Sequence, residues 1–292
     1  MEEEINIAEI IINAINTIFQ TIFSSIDNSL YSILDTVSFI DTDILESPYF
    51  QSIFGTSSSN GILLIANSLI LGFLLYYCAK LLLSHFLITQ AERPTSFIFK
   101  LLIFGICMNS SIFISEQIIF FTSCISSSIQ ELGQSIFGTT LSFTNLVDKL
   151  NNIIRIEENS FTIFSIDGFL KSVISISFLN LTFSYALRYI MVKVFILLSP
   201  FAFLSLVTNS TSGFFKAWIK CFLSLLFVQI LIAVVLLITF SIDFSSNNIL
   251  SKFLICGTIF ALLKANSFVK EFMGGISTDL SSGFNGIKSF IK

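Results

Sequence analysis

Three observations predict an all-α, polytopic helical membrane protein: the chain is apolar and poor in charge, it holds about five apolar runs of bilayer-crossing length, and its Lys and Arg residues are placed one-sidedly. Of its 292 residues, 54% are hydrophobic and 12% charged, and the mean hydropathy is +0.88. Soluble domains carry roughly a quarter charged residues, so an ordinary soluble core is excluded. The net charge of −4 names no partner by itself. Its distribution is more informative. No Lys or Arg precedes Lys80, whereas Glu2, Glu3, Glu4, Glu9, Asp27, Asp35, Asp41, Asp43 and Glu46 all precede the first strongly apolar run.

The opening MEEEINIAEI is acidic where a secretory signal would be basic, so no signal peptide is expected there. Residues 5–40 read as an amphipathic helix. Ala8, Ile11, Ile12, Ile15, Ile18, Ile22, Ile26, Leu30, Ile33 and Val37 recur at helical spacing, opposite Asn13, Asn16, Gln20, Ser24 and Asp27. That many polar groups argue for a helix on a membrane surface or against a partner, not one that spans. Residues 62–83 form the first span, because about 20 apolar residues cover about 30 Å of hydrocarbon. A second span is expected over 97–114, leaving the membrane at Glu116. The amphipathic stretch EQIIFFTSCISSSIQELGQSIFG and the polar stretch DKLNNIIRIEEN follow outside. The third apolar region, 168–207, would be roughly 60 Å long as a helix, twice what one crossing needs. Spans over 221–240 and 249–269 and a polar tail complete the chain.

The chain thus divides into an external amphipathic N-terminal region (1–60), a first helical pair (61–115), an external amphipathic and polar segment (116–167), a three-span core (168–270) and a cytoplasmic tail (271–292). The hexamer QSIFGT occurs at 51–56 and at 134–139, but the flanks differ, so it is no duplication. Orientation follows the basic loops. Lys80, Arg93 and Lys100 flank one loop, Lys216 and Lys220 another, and Lys264, Lys270, Lys288 and Lys292 lie at the C-terminal end. Five crossings with the N-terminus outside and the C-terminus inside satisfy all of these if 168–207 crosses once as a long third helix. A hairpin there would put the 208–220 cluster on the wrong side.

The sequence shows no phosphate-cradling glycine loop, no H-E-x-x-H, no G-x-S-x-G and no Cys/His pair. Its one histidine, His85, is expected in the first internal loop. Cys78, Cys107, Cys124, Cys221 and Cys256 are scattered, as packed small hydrophobes are, not spaced as metal ligands. No acidic residue falls at the centre of a span, where a proton-coupled carrier would place one. Neither an enzyme nor a bound cofactor or metal is expected, so any energy for transport must come from other subunits.

Arg188 and Lys193 lie inside the apolar run SYALRYIMVKVFILLSPFAFLSL, about 140° apart around a helix. Two readings stay open. Both could snorkel to headgroups near the outer end of the third helix, or one or both could face a water-filled path and favour an anionic cargo. Pro200 is expected to kink that helix or end its straight part. Trp218, between Lys216 and Lys220, reads as an interfacial anchor of the fourth span, with a docking point for a cytoplasmic partner as the alternative. Gly274 and Gly275 read as a turn or a close helix contact after the last span.

Taken in order, LRYIMVKVFILLSPFAFL, the turn TNSTSGFF, KAWIKCFLSLLFVQILIAVV and the ending VKEFMGGIS resemble the TrbL-like polytopic membrane subunits of type IV secretion and conjugation systems. ERPTSFIFK and NSSIFISEQI resemble the corresponding part of the smaller Gram-positive members. The resemblance covers 90–280 by layout and is most specific over 186–232. It implies a homo-oligomer in the bacterial cytoplasmic membrane around a translocation path, in contact with the system's ATPases and with lipid, touching single-stranded DNA with its relaxase, or protein, in passage. Carried over by position, Arg188, Lys193, Pro200 and Trp218 are channel or interface candidates without catalytic roles. Readings from other classes are a small-molecule permease component, which would need a second broken helix besides the one at Pro200, and a non-conducting membrane scaffold.

Overall fold

The computed structural model describes residues 7–55, 60–87, 93–153, 166–242 and 249–274, and all regular structure among them is helical. In chain order the α-helices are α1 (Ile7–Ser38), α2 (Pro48–Phe54), α3 (Ile62–Leu87), α4 (Pro94–Asn109), α5 (Ser111–Phe137), α6 (Phe143–Ile153), α7 (Ile166–Leu204), α8 (Ser212–Phe240) and α9 (Ile249–Met273), with short 3-10 turns at Thr42–Leu45 and Ser205–Val207. Five stretches are long and apolar enough to cross a membrane: Ile62–Phe86, Ser111–Phe137, Gly168–Val207, Ser212–Phe240 and Leu250–Met273. The protein is a multi-pass helical membrane protein. His85 falls in the last turn of α3, not in a loop.

The second crossing differs from the expected 97–114. The helix breaks at Asn109–Ser110, where Ser110 has φ −91° and ψ 10°. The side chain of Asn109 folds back to donate to Gly105 O at 2.9 Å and pairs reciprocally with Asn67 of α3 at 3.2 Å. That leaves α4 with 16 residues, about 24 Å and short of the hydrocarbon thickness. The crossing-length helix is instead α5, which does not stop at Glu116. Its amphipathicity is inverted relative to a water-soluble helix. Ser111, Ser115, Ile119, Thr122, Ser126 and Gly133 are buried, while Phe113, Phe120, Phe121, Leu132 and Ile136 are exposed. Small side chains at helical spacing let α5 lie close along α8, and the hydroxyls are met within the helix, Ser115 Oγ donating to Ser111 O at 2.8 Å and Thr122 Oγ1 to Ile119 O at 2.9 Å. Phenylalanines outside and serines inside suit an apolar solvent.

At the end of α5, Gly138 takes φ +69° and its N–H closes on Gln134 O at 2.9 Å, a left-handed cap that favours glycine. A Cβ on Gly133 would run into the side chain of Leu141, so the glycine is what lets Leu141 close over α5 as the chain turns into α6. Asp35, in the last turn of α1, caps α6 from another helix. Its carboxylate accepts from Phe143 N at 2.7 Å, Thr144 N at 3.3 Å and Thr144 Oγ1 at 2.7 Å. The negative charge also suits the positive end of α6. On the same helix, burial lowers the pKa of Lys149, whose ammonium rests 4.4 Å from the ring centre of Phe240.

The buried side chains form two clusters stacked along α7, which touches α1, α3, α4, α5, α8 and α9. One joins Tyr31 and Leu34 of α1 to α6, the first half of α7, the second half of α8 and α9. The other joins the second half of α7 and the first half of α8 to α3, α4, α5 and residues 40–50. The N-terminal region contributes Ile40, Ile44, Leu45 and Phe50 to the core.

Replacing Asp35 by Ala should remove about 1 kcal/mol of capping. The α6 amides should then exchange about fivefold faster in hydrogen–deuterium exchange; unchanged rates would show that Asp35 does not hold α6.

Candidate functional site: a buried polar layer around the end of α1

Between the two apolar clusters lies a layer of polar side chains centred on Arg188. At 1.5 Å per residue, Arg188 stands about 24 Å before the end of α7, and Gln229 about 26 Å into antiparallel α8, so both occupy one level of the bundle. Arg188 has no solvent exposure and is the largest fully buried side chain among the described residues.

Its partner is the C-terminus of α1. The last carbonyls of any helix find no N–H within the helix, and in an apolar interior water cannot supply one. Arg188 Nη2 donates to Ser38 O at 2.6 Å and to Val37 O at 3.0 Å. A cation there also meets the negative end of the helix dipole. The chain then leaves the helix, and Ile40 N donates to Gln229 Oε1 at 3.0 Å. The guanidinium lies 5.3 Å from the ring centre of Tyr185, one turn back on α7. Tyr185 donates to Leu262 O at 3.0 Å, and Asn266 Nδ2 to Ser184 Oγ at 3.1 Å, so the layer also ties α7 to α9.

The layer has more donors than acceptors. Arg188 Nε and Nη1 and Gln229 Nε2 are buried with no hydrogen-bond partner among the described residues, as is the hydroxyl of Ser38. Asn266 Oδ1 is a buried acceptor in the same condition.

Neither expectation for Arg188 describes this geometry. Within the chain its side chain has no exposed surface, and Nη2 is held by two carbonyls of α1. Lys193 emerges on another side of α7, with Nζ 5.0 Å from the ring centre of Tyr189 and 5.9 Å from that of Phe50. The two cations, though far apart around the helix, thus meet the same N-terminal segment at Val37–Ser38 and at Phe50.

Pro200 lies inside α7, which continues to Leu204. A proline cannot donate to the carbonyl four residues back, Ile196 O, and that oxygen accepts instead from Ser199 Oγ at 2.7 Å. The neighbouring Phe195 O accepts from Trp218 Nε1 at 2.8 Å. Trp218 is 3% exposed, stacked on Phe222 at 5.3 Å and against Phe203 at 5.8 Å, so it anchors the loosened stretch of α7 to α8 from inside the protein and not from an interfacial belt. The turn between these helices is laced by hydroxyls: Ser205 Oγ donates to Ala202 O at 2.7 Å and Thr211 Oγ1 to Ser205 O at 2.6 Å. Lys216 and Lys220 are exposed. Gly274 takes φ +69° and closes α9 with its N–H on Lys270 O at 2.8 Å; Gly275 lies outside the described residues.

The structure thus joins the stretch of α7 just before Pro200 to Trp218, and Arg188 and Lys193 to one segment, and leaves Lys216, Lys220 and Gly274 apart. Ser38, Ser199, Gln229 and Asn266 join the site without a motif to announce them. Gln229 alone has a cue, being the one amide in the run LSLLFVQILIAVVLL. Compared with protein-family models, curated proteins and solved structures, the chain matches none.

Trp218→Phe keeps an aromatic ring but loses one interhelical hydrogen bond and part of the indole volume, so it should lower stability by about 1–2 kcal/mol. Arg188→Ala leaves a cavity and two buried carbonyls unserved, and should cost about 3 kcal/mol. Unfolding of the reconstituted protein in denaturing detergent should show the larger loss for Arg188→Ala; equal effects would mean that the α1 end finds other partners.

Proposed function

We propose that the chain is an integral membrane subunit of a type IV secretion or conjugation translocation channel, similar to TrbL-like proteins, that helps pass DNA with its relaxase, or protein, across the bacterial cytoplasmic membrane. The observation that carries this reading is the continuous unit from Tyr185 to Ile232. A long helix contains a proline, a short hydroxyl-rich turn follows, and a tryptophan near the start of the next helix bonds the opened stretch of the first. In this reading the third apolar helix crosses once, with the N-terminus outside and the C-terminus inside. Copies of the chain surround the path, ATPases and other subunits supply energy and direction, and the exposed Lys216 and Lys220 meet cytoplasmic partners or lipid headgroups.

Two experiments test it. Reporter fusions after residues 90, 212 and 292 should report inside, and those after 145 and 245 outside; an external report at 212 would overturn the single crossing. An in-frame deletion should abolish transfer of the mobile element that encodes the chain, with recovery on complementation, and transfer continuing at normal frequency would refute the channel assignment.

The burial of Arg188 within one chain favours a second reading, a non-conducting scaffold. A scaffold predicts loss of assembly of the other membrane subunits in the deletion strain, and no ion flux through the purified chain in vesicles.

A further inference from the structure

Helices α5 and α9 each pack along both α7 and α8 and hardly at all on each other, so they flank that pair on opposite sides. Both belong to stretches of crossing length, Ser111–Phe137 and Leu250–Met273, and both turn a face away from the bundle. Along α9 that face carries Phe253, Gly257, Phe260, Lys264, Phe268 and Glu271, all exposed and three or four residues apart. Along α5 it carries Phe113, Phe120, Cys124, Ser128 and Glu131. Glu271 lies two residues from the end of its crossing stretch, whereas Lys264 stands about 14 Å from that end and about 21 Å from the other. A lysine at that depth on an outward face is costly, and charges inside a membrane are found paired or turned to water. Within the described residues no ion pair involves Lys264 or Glu131.

The two charges share a level. Asn266 bonds Ser184, and Ser38 bonds Arg188, so Lys264 and Asp35 project onto α7 within one helical turn of each other. Asp35 and Glu131 line one pocket of about 420 Å³ between α1 and α5, with Ser127, Gln130, Gln134 and Thr140 in its polar wall. Asp35 is engaged with α6, while the Glu131 side chain is exposed. One side of the bundle thus presents an acidic pocket. The other presents, at the same height, a lysine between the exposed rings of Phe260 and Phe268.

We propose that α9 of one copy docks on the α1–α5 face of the next, seating Lys264 in the acidic pocket against Glu131. The proposal rests on the reading of several copies around a translocation path and names the contact that joins them. Pairing offsets the cost that each charge carries alone in an apolar surrounding. Gly257, one turn from Phe260 on the same stripe, has open space where a Cβ would stand, which lets a neighbouring helix come close. The two faces differ, so the contact is heterologous. Repeated among copies that share one orientation in the membrane, it adds copy after copy around a ring and does not stop at a dimer.

The test uses the full chain in lipid vesicles. With the five native cysteines replaced, a chain carrying both Glu131→Cys and Lys264→Cys should give, with a short bismaleimide, a ladder of species extending beyond two copies, and either single variant should give none. A ladder that stops at two copies, or a single variant that cross-links as readily, overturns the heterologous contact. In the otherwise native chain, Lys264→Glu and Glu131→Lys should each weaken self-association about tenfold, read by energy transfer between labelled copies, and the two together should restore it. Folded chains without that rescue overturn the pairing, as does association indifferent to either change. Should a reversal fail to fold, Lys264→Gln and Glu131→Gln take its place: each alone weakens association, the two together weaken it no further, and additive losses overturn the pairing. Normal DNA transfer in a deletion strain would sink the translocation reading alone, while cross-linking of the purified chain bears on the interface alone.

Discussion

A helix that ends inside a membrane protein leaves carbonyl oxygens where water cannot reach them, and the fold is organised around meeting that demand at Val37 and Ser38. One guanidinium nitrogen of Arg188 serves both oxygens. The arrangement places α1 against α7, fixes the point at which the chain leaves the helix, and hands the next free N–H, that of Ile40, to Gln229. The apolar clusters on either side, one around Tyr185 and Phe178 and the other around Phe195 and Trp218, then pack against a polar layer whose position is already set. A buried charge is costly by desolvation, and the carbonyl dipoles of a helix end are among the few neutral groups able to offset much of that cost.

The same accounting explains the second half of the bundle. Pro200 withdraws one backbone donor, and a serine and a tryptophan serve the carbonyls in the loosened stretch. Trp218 therefore does two things with one side chain: its ring fills the space between Phe203 and Phe222, and its N–H ties α8 to α7 where the ladder is weakest. The capping of α6 by Asp35 follows the same pattern. At each of these interruptions of the helical ladder a side chain from a different helix helps to complete it, so the interruptions become the joints between helices.

Much of the architecture is legible in the sequence, and the physical reasons for the rest are specific. Apolar runs mark α3, α8 and α9 because length and hydropathy are one-dimensional properties. The break at Asn109 is hidden because NSS sits inside a run whose hydropathy hardly changes across it, and the deciding contact is with Asn67, far away in sequence. The extent of α5 is not legible because period and polarity look alike for a surface helix and an inverted one. Only the identity of the neighbour, α8 and not water, distinguishes Ser115 and Ser126 facing inward from serines facing out. For the site, the residue types Arg188 and Trp218 are prominent, but their partners are backbone carbonyls, which every residue carries and no motif can signal.

The inverted face of α5 also bears on how the chain is made. A helix that shows phenylalanines outward and serines inward reaches its full packing only when α7 and α8 are present beside it. Synthesis proceeds at about 5–20 residues per second, so several seconds separate the emergence of Ser111–Phe137 from that of Ser212–Phe240. During that interval the serine stripe of α5 faces lipid, headgroups or the insertion machinery. Its final packing therefore waits on helices that the ribosome has yet to translate.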